Sequence, residues 1–213
     1  MSKKKTVVSL VLNSLIALVT TGVVVSYFLV ESKVIRSGSE SFRFFTTDSN
    51  ILAAVAAATV AVFDIKILRG KIDRLPRAAE VLKYVGTVGV FLTFCTAVFF
   101  LAPIYGAPML FGGTAFHMHA AAPLMSFLSF SFLEKHSRLK LSESLLGLLP
   151  VVVYGAVYFV EVVVIGEANG GWKDFYAFNQ GGSWGVTVAV MPCAAYAVCF
   201  LIRLLHNLWI PKK

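Results

Sequence analysis

A cluster of polar side chains lies at the start of the second long apolar segment, at residues 46–50, Thr-Thr-Asp-Ser-Asn. In a helix Thr46, Ser49 and Asn50 share one face, because residues three and four apart are neighbours. Such groups are costly in hydrocarbon unless they face protein or water, so they are functional candidates. A threonine hydroxyl becomes a nucleophile when a base takes its proton, and histidine is the usual base near neutral pH. We therefore pair Thr46 with His119.

Neighbouring polar residues could support this pair. Ser49, Asn50 or a tyrosine hydroxyl could donate to a developing oxyanion. Asp48 or Glu161 could orient the imidazole, as the third member of a catalytic triad does. A purely structural alternative applies to each, since hydroxyls and amides in membrane helices commonly bond to a neighbouring helix.

The fifth apolar segment carries a second polar stripe. Tyr154, Tyr158 and Glu161 follow the spacing i, i+4, i+7 and so lie on one helix face. The glycine- and aromatic-rich loop at residues 170–178 follows this segment. The loop could cover a cavity, or its aromatic side chains could anchor it at the membrane interface.

A metal site is the less favoured interpretation. Asp48, His117, His119 and Glu161 are suitable ligand types. However, two residues two positions apart point about 200° apart on a regular helix, so both histidines cannot face one site. We expect neither a metal nor another cofactor.

The composition indicates a membrane protein. The 213 residues are 58% hydrophobic and 14% charged, with a mean hydropathy of +0.80, too apolar for a soluble domain of this size. The net charge of +8 is typical of basic cytoplasmic loops. No basic stripe is interleaved with stacking aromatics, so we expect no nucleic-acid partner.

Six apolar segments are long enough to cross a bilayer, which predicts an all-α polytopic membrane protein. The predicted helices cover residues 6–30, 46–68, 80–102, 114–133, 142–165 and 183–205. The second helix is rich in alanine and is expected to pack centrally, since small residues permit close helix approach. Only short loops separate the segments, so residues 1–213 are expected to form a single domain.

The basic residues predict an orientation. Of the 19 lysines and arginines, 15 fall on the side of the two termini and 4 on the other side. Because cytoplasmic loops are enriched in these residues, both termini are expected in the cytoplasm. Thr46, His119 and Glu161 then lie at a similar depth near the outer leaflet, lining a cavity between helices two, four and five.

The same residues resemble a known family. Residues 45–50 resemble the Phe-Thr-x-x-Ser-Asn signature of bacterial relatives of the androgen-induced and androgen-dependent membrane protein family. Residues 119–123 resemble its histidine with a proline four positions later. Tyr154, Tyr158 and residues 171–178 resemble its downstream tyrosines and its Gly-Trp…Tyr-Pro-Phe segment.

The resemblance implies an activity, because eukaryotic members are threonine hydrolases that cleave fatty acid esters of hydroxy fatty acids. It implies Thr46 as nucleophile and His119 as base, with Trp172 and Tyr176 in supporting or binding positions. Ala177 departs from the pattern, since relatives have proline there. The resemblance also implies a bacterial plasma membrane.

We therefore expect a multi-pass hydrolase of lipid-like esters whose partners are the bilayer and a lipid-like substrate. The alternatives are a small transporter, or a non-catalytic membrane protein that binds a lipid or another small hydrophobe. A separation of more than about 6 Å between the Thr46 hydroxyl and both ring nitrogens of His119 would favour the non-catalytic alternative.

Overall fold

The computed structural model describes residues 2–29, 38–208 and 210, and every regular element among them is helical. Six long helical segments are numbered here along the chain. They are α1 (Lys3–Leu29), α2 (Phe45–Leu68), α3 (Arg77–Tyr105), α4 (residues 114–133), α5 (Leu141–Ile165) and α6 (Trp184–Asn207). Five of them, all except α4, are long and apolar enough to cross a membrane. The prediction of an all-helical chain is confirmed for the described residues, and five of the predicted membrane-spanning helices are long and apolar enough to be such spans.

Several helices begin earlier than predicted. The first starts at Lys3 instead of Thr6, so the basic residues lie within its first turn. The third starts at Arg77, directly after Pro76, instead of at residue 80. Proline is tolerated at a helix start, because the first turn leaves its backbone nitrogen without a partner in any case. The predicted end of the first helix at Val30 lies outside the described residues, and residues 38–43 form a short 3₁₀ turn.

The centre of the bundle is the pair α2 and α3. In their most apolar windows 39% and 44% of the residues are buried, against 17% in α5 and in α6. Small residues bring the two helices together: a Cβ atom added to Gly86 would lie 3.1 Å from the Cα atom of Ala53 and 3.2 Å from the Cβ atom of Ala56. The predicted central position of the second helix is confirmed, and it fixes the backbone that carries Thr46.

Helix α4 is continuous but changes its hydrogen-bonding pattern. It contains π-helical turns at His117–Ala121 and Ser129–Leu133, with an α-helical segment Ala122–Leu128 between them. Pro123 has no N–H group to donate to the carbonyl of His119, so the regular α-helical ladder cannot pass this point. The two histidines and three serines lower the apolar character of α4, and it is not among the five membrane-spanning candidates.

Successive helices run antiparallel. At one end of the bundle the hydroxyl of Ser49 on α2 lies 2.8 Å from the hydroxyl of Thr93 on α3. At the opposite end the hydroxyl of Ser9 on α1 donates to Asp64 on α2 over 2.6 Å. We call these ends the Thr46 end and the Asp64 end. The start of α4 lies at the Thr46 end, which brings its histidines next to the start of α2.

Candidate active site

The first turn of α2 and the second turn of α4 bring Thr46 and His119 together. Phe44 has an extended backbone, and α2 begins directly after it, so that Thr46 lies in the first turn. The Oγ1 atom of Thr46 lies 3.3 Å from the Nε2 atom of His119, although the residues are 73 positions apart. Both side chains are half-buried. The distance is far below the separation that would favour a non-catalytic arrangement.

The hydrogen bonding of His119 determines its tautomer. Its Nδ1 atom lies 2.5 Å from the carbonyl oxygen of Met109. A carbonyl oxygen can only accept, so Nδ1 carries the proton and Nε2 presents its lone pair to the Thr46 hydroxyl. This is the tautomer that can remove a proton from Thr46.

Neither Asp48 nor Glu161 occupies the orienting position that the sequence suggested for them. The carbonyl of Met109 takes it instead, from the short helix Pro108–Phe111 between α3 and α4. The half-buried side chain of Glu161 makes no hydrogen bond or ion pair with any residue that the structure describes. Side-chain patterns could not identify Met109, because the group that acts is a backbone carbonyl.

Ser49 and Asn50 hold the site together. The Nδ2 atom of Asn50, a fully buried residue, donates to the carbonyl of Thr46 over 2.8 Å and to the carbonyl of Met118 over 2.9 Å. The Ser49 hydroxyl contacts Thr93 on α3 and lies 3.3 Å from the carbonyl of Thr46. Both amide hydrogens of Asn50 are thus already used in hydrogen bonds to backbone carbonyl groups.

Tyr176 supplies a phenolic hydroxyl beside Thr46. The loop between α5 and α6 returns its side chain to the Thr46 end, where it interacts with the side chains of Thr46 and Tyr154. Burial raises the pKa of Tyr176 to about 12, and hydrogen bonding to Thr46 and Tyr154 acts in the opposite direction. The group is therefore a neutral donor at physiological pH. The hydroxyl of Tyr154 itself donates to the carbonyl of Arg43 over 2.8 Å.

A single carboxylate shapes the loop that carries Tyr176. Asp174 accepts from the hydroxyl of Tyr158 over 3.0 Å and from the backbone N–H groups of Phe178 and Asn179, each over 2.8 Å. The hydroxyl of Tyr158 in turn accepts from the backbone N–H of Tyr176 over 3.1 Å. Asp174 was not among the predicted site residues, since the only sign of its role in the sequence is an acidic residue within an aromatic loop.

The backbone conformation of this loop explains why position 177 is alanine and not the proline of the Tyr-Pro-Phe pattern. Its φ angle is +52°, and among the described residues it is the only non-glycine residue with a positive φ. Proline fixes φ near −65°, so it cannot occupy this position without a change of the loop. The segment therefore reaches Thr46 by a path that a Tyr-Pro-Phe sequence could not follow unchanged.

A cleft of about 440 Å³ lies beside the Thr46–His119 pair, between α2 and α5. Its walls are mostly apolar, with Asp48 and Trp172 among the lining residues. Thr46 and His119 do not line it. Phe45, which precedes Thr46 in the chain, and Tyr154 belong to the wall of the cleft, and their ring centroids are 5.3 Å apart. Its volume is within the range of pockets that bind small apolar ligands.

The other histidine of α4 faces away from the site. The Nε2 atom of His117 lies 2.9 Å from the hydroxyl of Thr20 on α1. The two histidines thus contact different helices, as their spacing indicated. In the described part of the chain no three histidine, cysteine or acidic side chains group in a way that could hold a metal ion.

The chain matches no family model, no curated protein and no solved structure.

Proposed function

We propose that the chain is a membrane-embedded hydrolase of lipid-like esters, with Thr46 as nucleophile and His119 as general base. The observation that carries this proposal is the contact between the Thr46 hydroxyl and the unprotonated Nε2 atom of His119, with Nδ1 bonded to Met109. A positioned pair of hydroxyl and base is the arrangement that acyl transfer needs.

The proposed reaction has two acyl-transfer steps. His119 Nε2 takes the proton as Thr46 Oγ1 attacks the ester carbonyl, and the Tyr176 hydroxyl donates to the developing oxyanion. When the C–O bond to the leaving alcohol breaks, the imidazolium returns the proton to that oxygen. Water, deprotonated by His119, then attacks the acyl-threonine, which releases the fatty acid and restores the Thr46 hydroxyl.

The cleft between α2 and α5 is the proposed binding site for one acyl chain. It borders the pair through Phe45 and Tyr154, and its apolar walls suit a hydrocarbon chain. The substrate class follows the family resemblance: fatty acid esters of hydroxy fatty acids or esters like them. A carboxylate of such a substrate would be unfavourable beside Asp48, so we place the hydrocarbon end of the acyl chain there.

The proposal includes a topology. We infer six membrane spans, with α4 as the sixth, both termini in the cytoplasm and the Thr46 end near the outer leaflet of a bacterial plasma membrane. The antiparallel order of the helices and the 15-to-4 distribution of basic residues support this arrangement. Substrate would then enter laterally from the outer leaflet.

One observation favours a second candidate, a non-catalytic protein that binds a lipid or small hydrophobe. The cleft is lined by neither Thr46 nor His119, so an apolar ligand could occupy it without meeting either residue. The transporter alternative has no comparable support from the described residues.

Covalent labelling separates the two candidates. The purified protein in detergent is treated with an alkyl fluorophosphonate. We expect labelling of the wild type and its loss in Thr46→Ala and His119→Ala. Thr46→Ser keeps a hydroxyl and is expected to keep labelling. Thr47→Ala and His117→Ala are the matched controls, because each removes the same chemical group one or two positions away.

A further inference from the structure

The Asp64 end of the bundle holds three ionisable side chains that the proposed hydrolysis does not use. Asp64 and Lys83 are completely buried and Glu134 is 1% exposed. Asp64 belongs to α2, Lys83 belongs to α3, and Glu134 directly follows the last residue of α4. Asp64 lies near the end of α2 and Lys83 near the start of α3, and both side chains point into the bundle. Buried charges are costly unless each is compensated.

Two residues of α1 connect these groups. Ser9 Oγ donates to Asp64 over 2.6 Å, and it lies 3.4 Å from Glu134. Asn13 donates to Glu134 over 2.7 Å and accepts from Lys83 over 2.7 Å. Among the described residues, the Lys83 ammonium donates to Asn13 and to the hydroxyl of Ser126, and it makes no direct hydrogen bond to either carboxylate. Ser9 contacts both carboxyl groups, so their facing oxygens lie within about 6 Å of each other, where two negative charges repel strongly in a low dielectric.

Each of the two carboxyl groups has one oxygen atom without a hydrogen-bond partner in the described part of the chain. Asp64 Oδ1 and Glu134 Oε2 are buried and have no hydrogen-bond partner among the described residues. An unsatisfied buried carboxylate oxygen loses its hydration without replacement. The charges do not balance either, because two carboxylates and one ammonium leave one uncompensated negative charge inside the bundle.

The surrounding titratable groups do not supply the missing positive charge. Burial lowers the pKa of His136, in the loop after α4, so this imidazole is neutral at physiological pH. Lys135 donates to the backbone carbonyl of Leu208 and faces away from the site. Glu80 and His206 form a separate contact, 3.5 Å apart. Lys83 is therefore the cation that faces the two carboxyl groups.

We propose that Asp64 and Glu134 share one bound proton. The proton converts one carboxyl group to a neutral donor, and the other stays ionised and balances Lys83. A metal cation is the poorer fit, because it would lie beside the Lys83 ammonium as a second full positive charge. The site is thus a proton-binding site at the Asp64 end, formed by α1, α2, α3 and the end of α4.

Infrared spectroscopy of the full chain in detergent tests this proposal. A protonated carboxyl group absorbs separately from a carboxylate, and we expect one such band at pH 7. Asp64→Asn and Glu134→Gln are each expected to abolish it, because the single remaining carboxyl group then ionises opposite Lys83. Lys83→Gln is expected to double the band, since both carboxyl groups must then be neutral. Glu40→Gln changes an exposed carboxylate and is the control that leaves the band unchanged.

Three results would overturn the proposal. The first is no protonated-carboxyl band in the wild type at pH 7. The second is loss of the band in only one of Asp64→Asn and Glu134→Gln, which would place the proton on that residue alone. The third is a thermal stability that rises when choline chloride is replaced by sodium chloride and no longer does so in Asp64→Asn, which would identify a metal cation. Asn and Gln substitutions imitate a protonated carboxyl group in shape, so these variants are expected to fold.

Discussion

Asn50 joins the backbone of Thr46 to the backbone of Met118, the residue that precedes His119. One amide group therefore sets the distance between the candidate nucleophile and the candidate base. The Thr46 hydroxyl belongs to α2 and the His119 imidazole belongs to α4. Neither side chain alone could therefore define the distance between the two groups.

This relationship predicts the effect of Asn50→Ala. The variant is expected to lose about 2–4 kcal/mol of stability, because the buried side-chain hydrogen bonds to the carbonyls of Thr46 and Met118 are both removed. Fluorophosphonate labelling is expected to slow by about 100-fold, since the hydroxyl and imidazole are no longer held in position. Thr59→Ala, a change of an α2 hydroxyl that bonds only within its own helix, is the control for stability. Labelling at the wild-type rate in Asn50→Ala would show that Asn50 has no part in positioning.

Tyr176→Phe tests the proposed oxyanion donor. Removal of one such donor costs about 100- to 1,000-fold in the rate of acyl transfer. We expect slower ester hydrolysis with unchanged binding of a non-hydrolysable ether analogue. Tyr154→Phe removes a hydroxyl that donates to the Arg43 carbonyl, and is expected to cost about 1 kcal/mol of stability with a much smaller effect on rate. Equal rates in the two variants would contradict the role of Tyr176.

The positive φ of Ala177 predicts opposite effects for two substitutions. Ala177→Gly is expected to raise stability by up to about 1 kcal/mol, because glycine adopts this backbone conformation without strain. Ala177→Pro is expected to displace the loop, and with it Tyr176, and so to reduce labelling. Thermal unfolding and labelling rates measure both effects. A proline variant with normal stability and labelling would show that the loop can take another path.

The contact between α2 and α3 predicts a steric effect at Gly86. Gly86→Val is expected to destabilise the protein by about 1–3 kcal/mol, because the new side chain meets the backbone of Ala53. Gly155→Ala on α5 is the matched control: a Cβ atom there has no neighbour within 4 Å, and alanine favours the helix by about 0.5–1 kcal/mol. Thermal unfolding in one detergent compares the two.

The sequence identified the parts of the site that follow from helix periodicity. The positions of Thr46 at the start of α2 and of His119 near the start of α4 indicated that the two residues lie at the same depth, because alternate helices bring their starts to the same end. The alanines of α2 likewise predicted its central position. Such patterns depend only on helix geometry and on the cost of polar groups in hydrocarbon.

The remaining features depend on tertiary structure that no periodicity encodes. Met109 acts through its backbone carbonyl, and Tyr176 reaches the site because Asp174 organises an irregular loop. The burial of Lys83 was also not predictable, since a lysine near a helix start resembles an interfacial charge. Its position becomes clear only when the partners on α1 are known.

The central claim is that Thr46 is the nucleophile, and the most direct measurement is the site of covalent modification. The fluorophosphonate-labelled protein is digested and the modified residue is identified by tandem mass spectrometry. We predict a single adduct on the Thr46 hydroxyl, formed at a rate that falls by at least about 100-fold in His119→Ala. An adduct on Thr47 or Ser49, or labelling of Thr46 that does not depend on His119, would contradict the proposed mechanism.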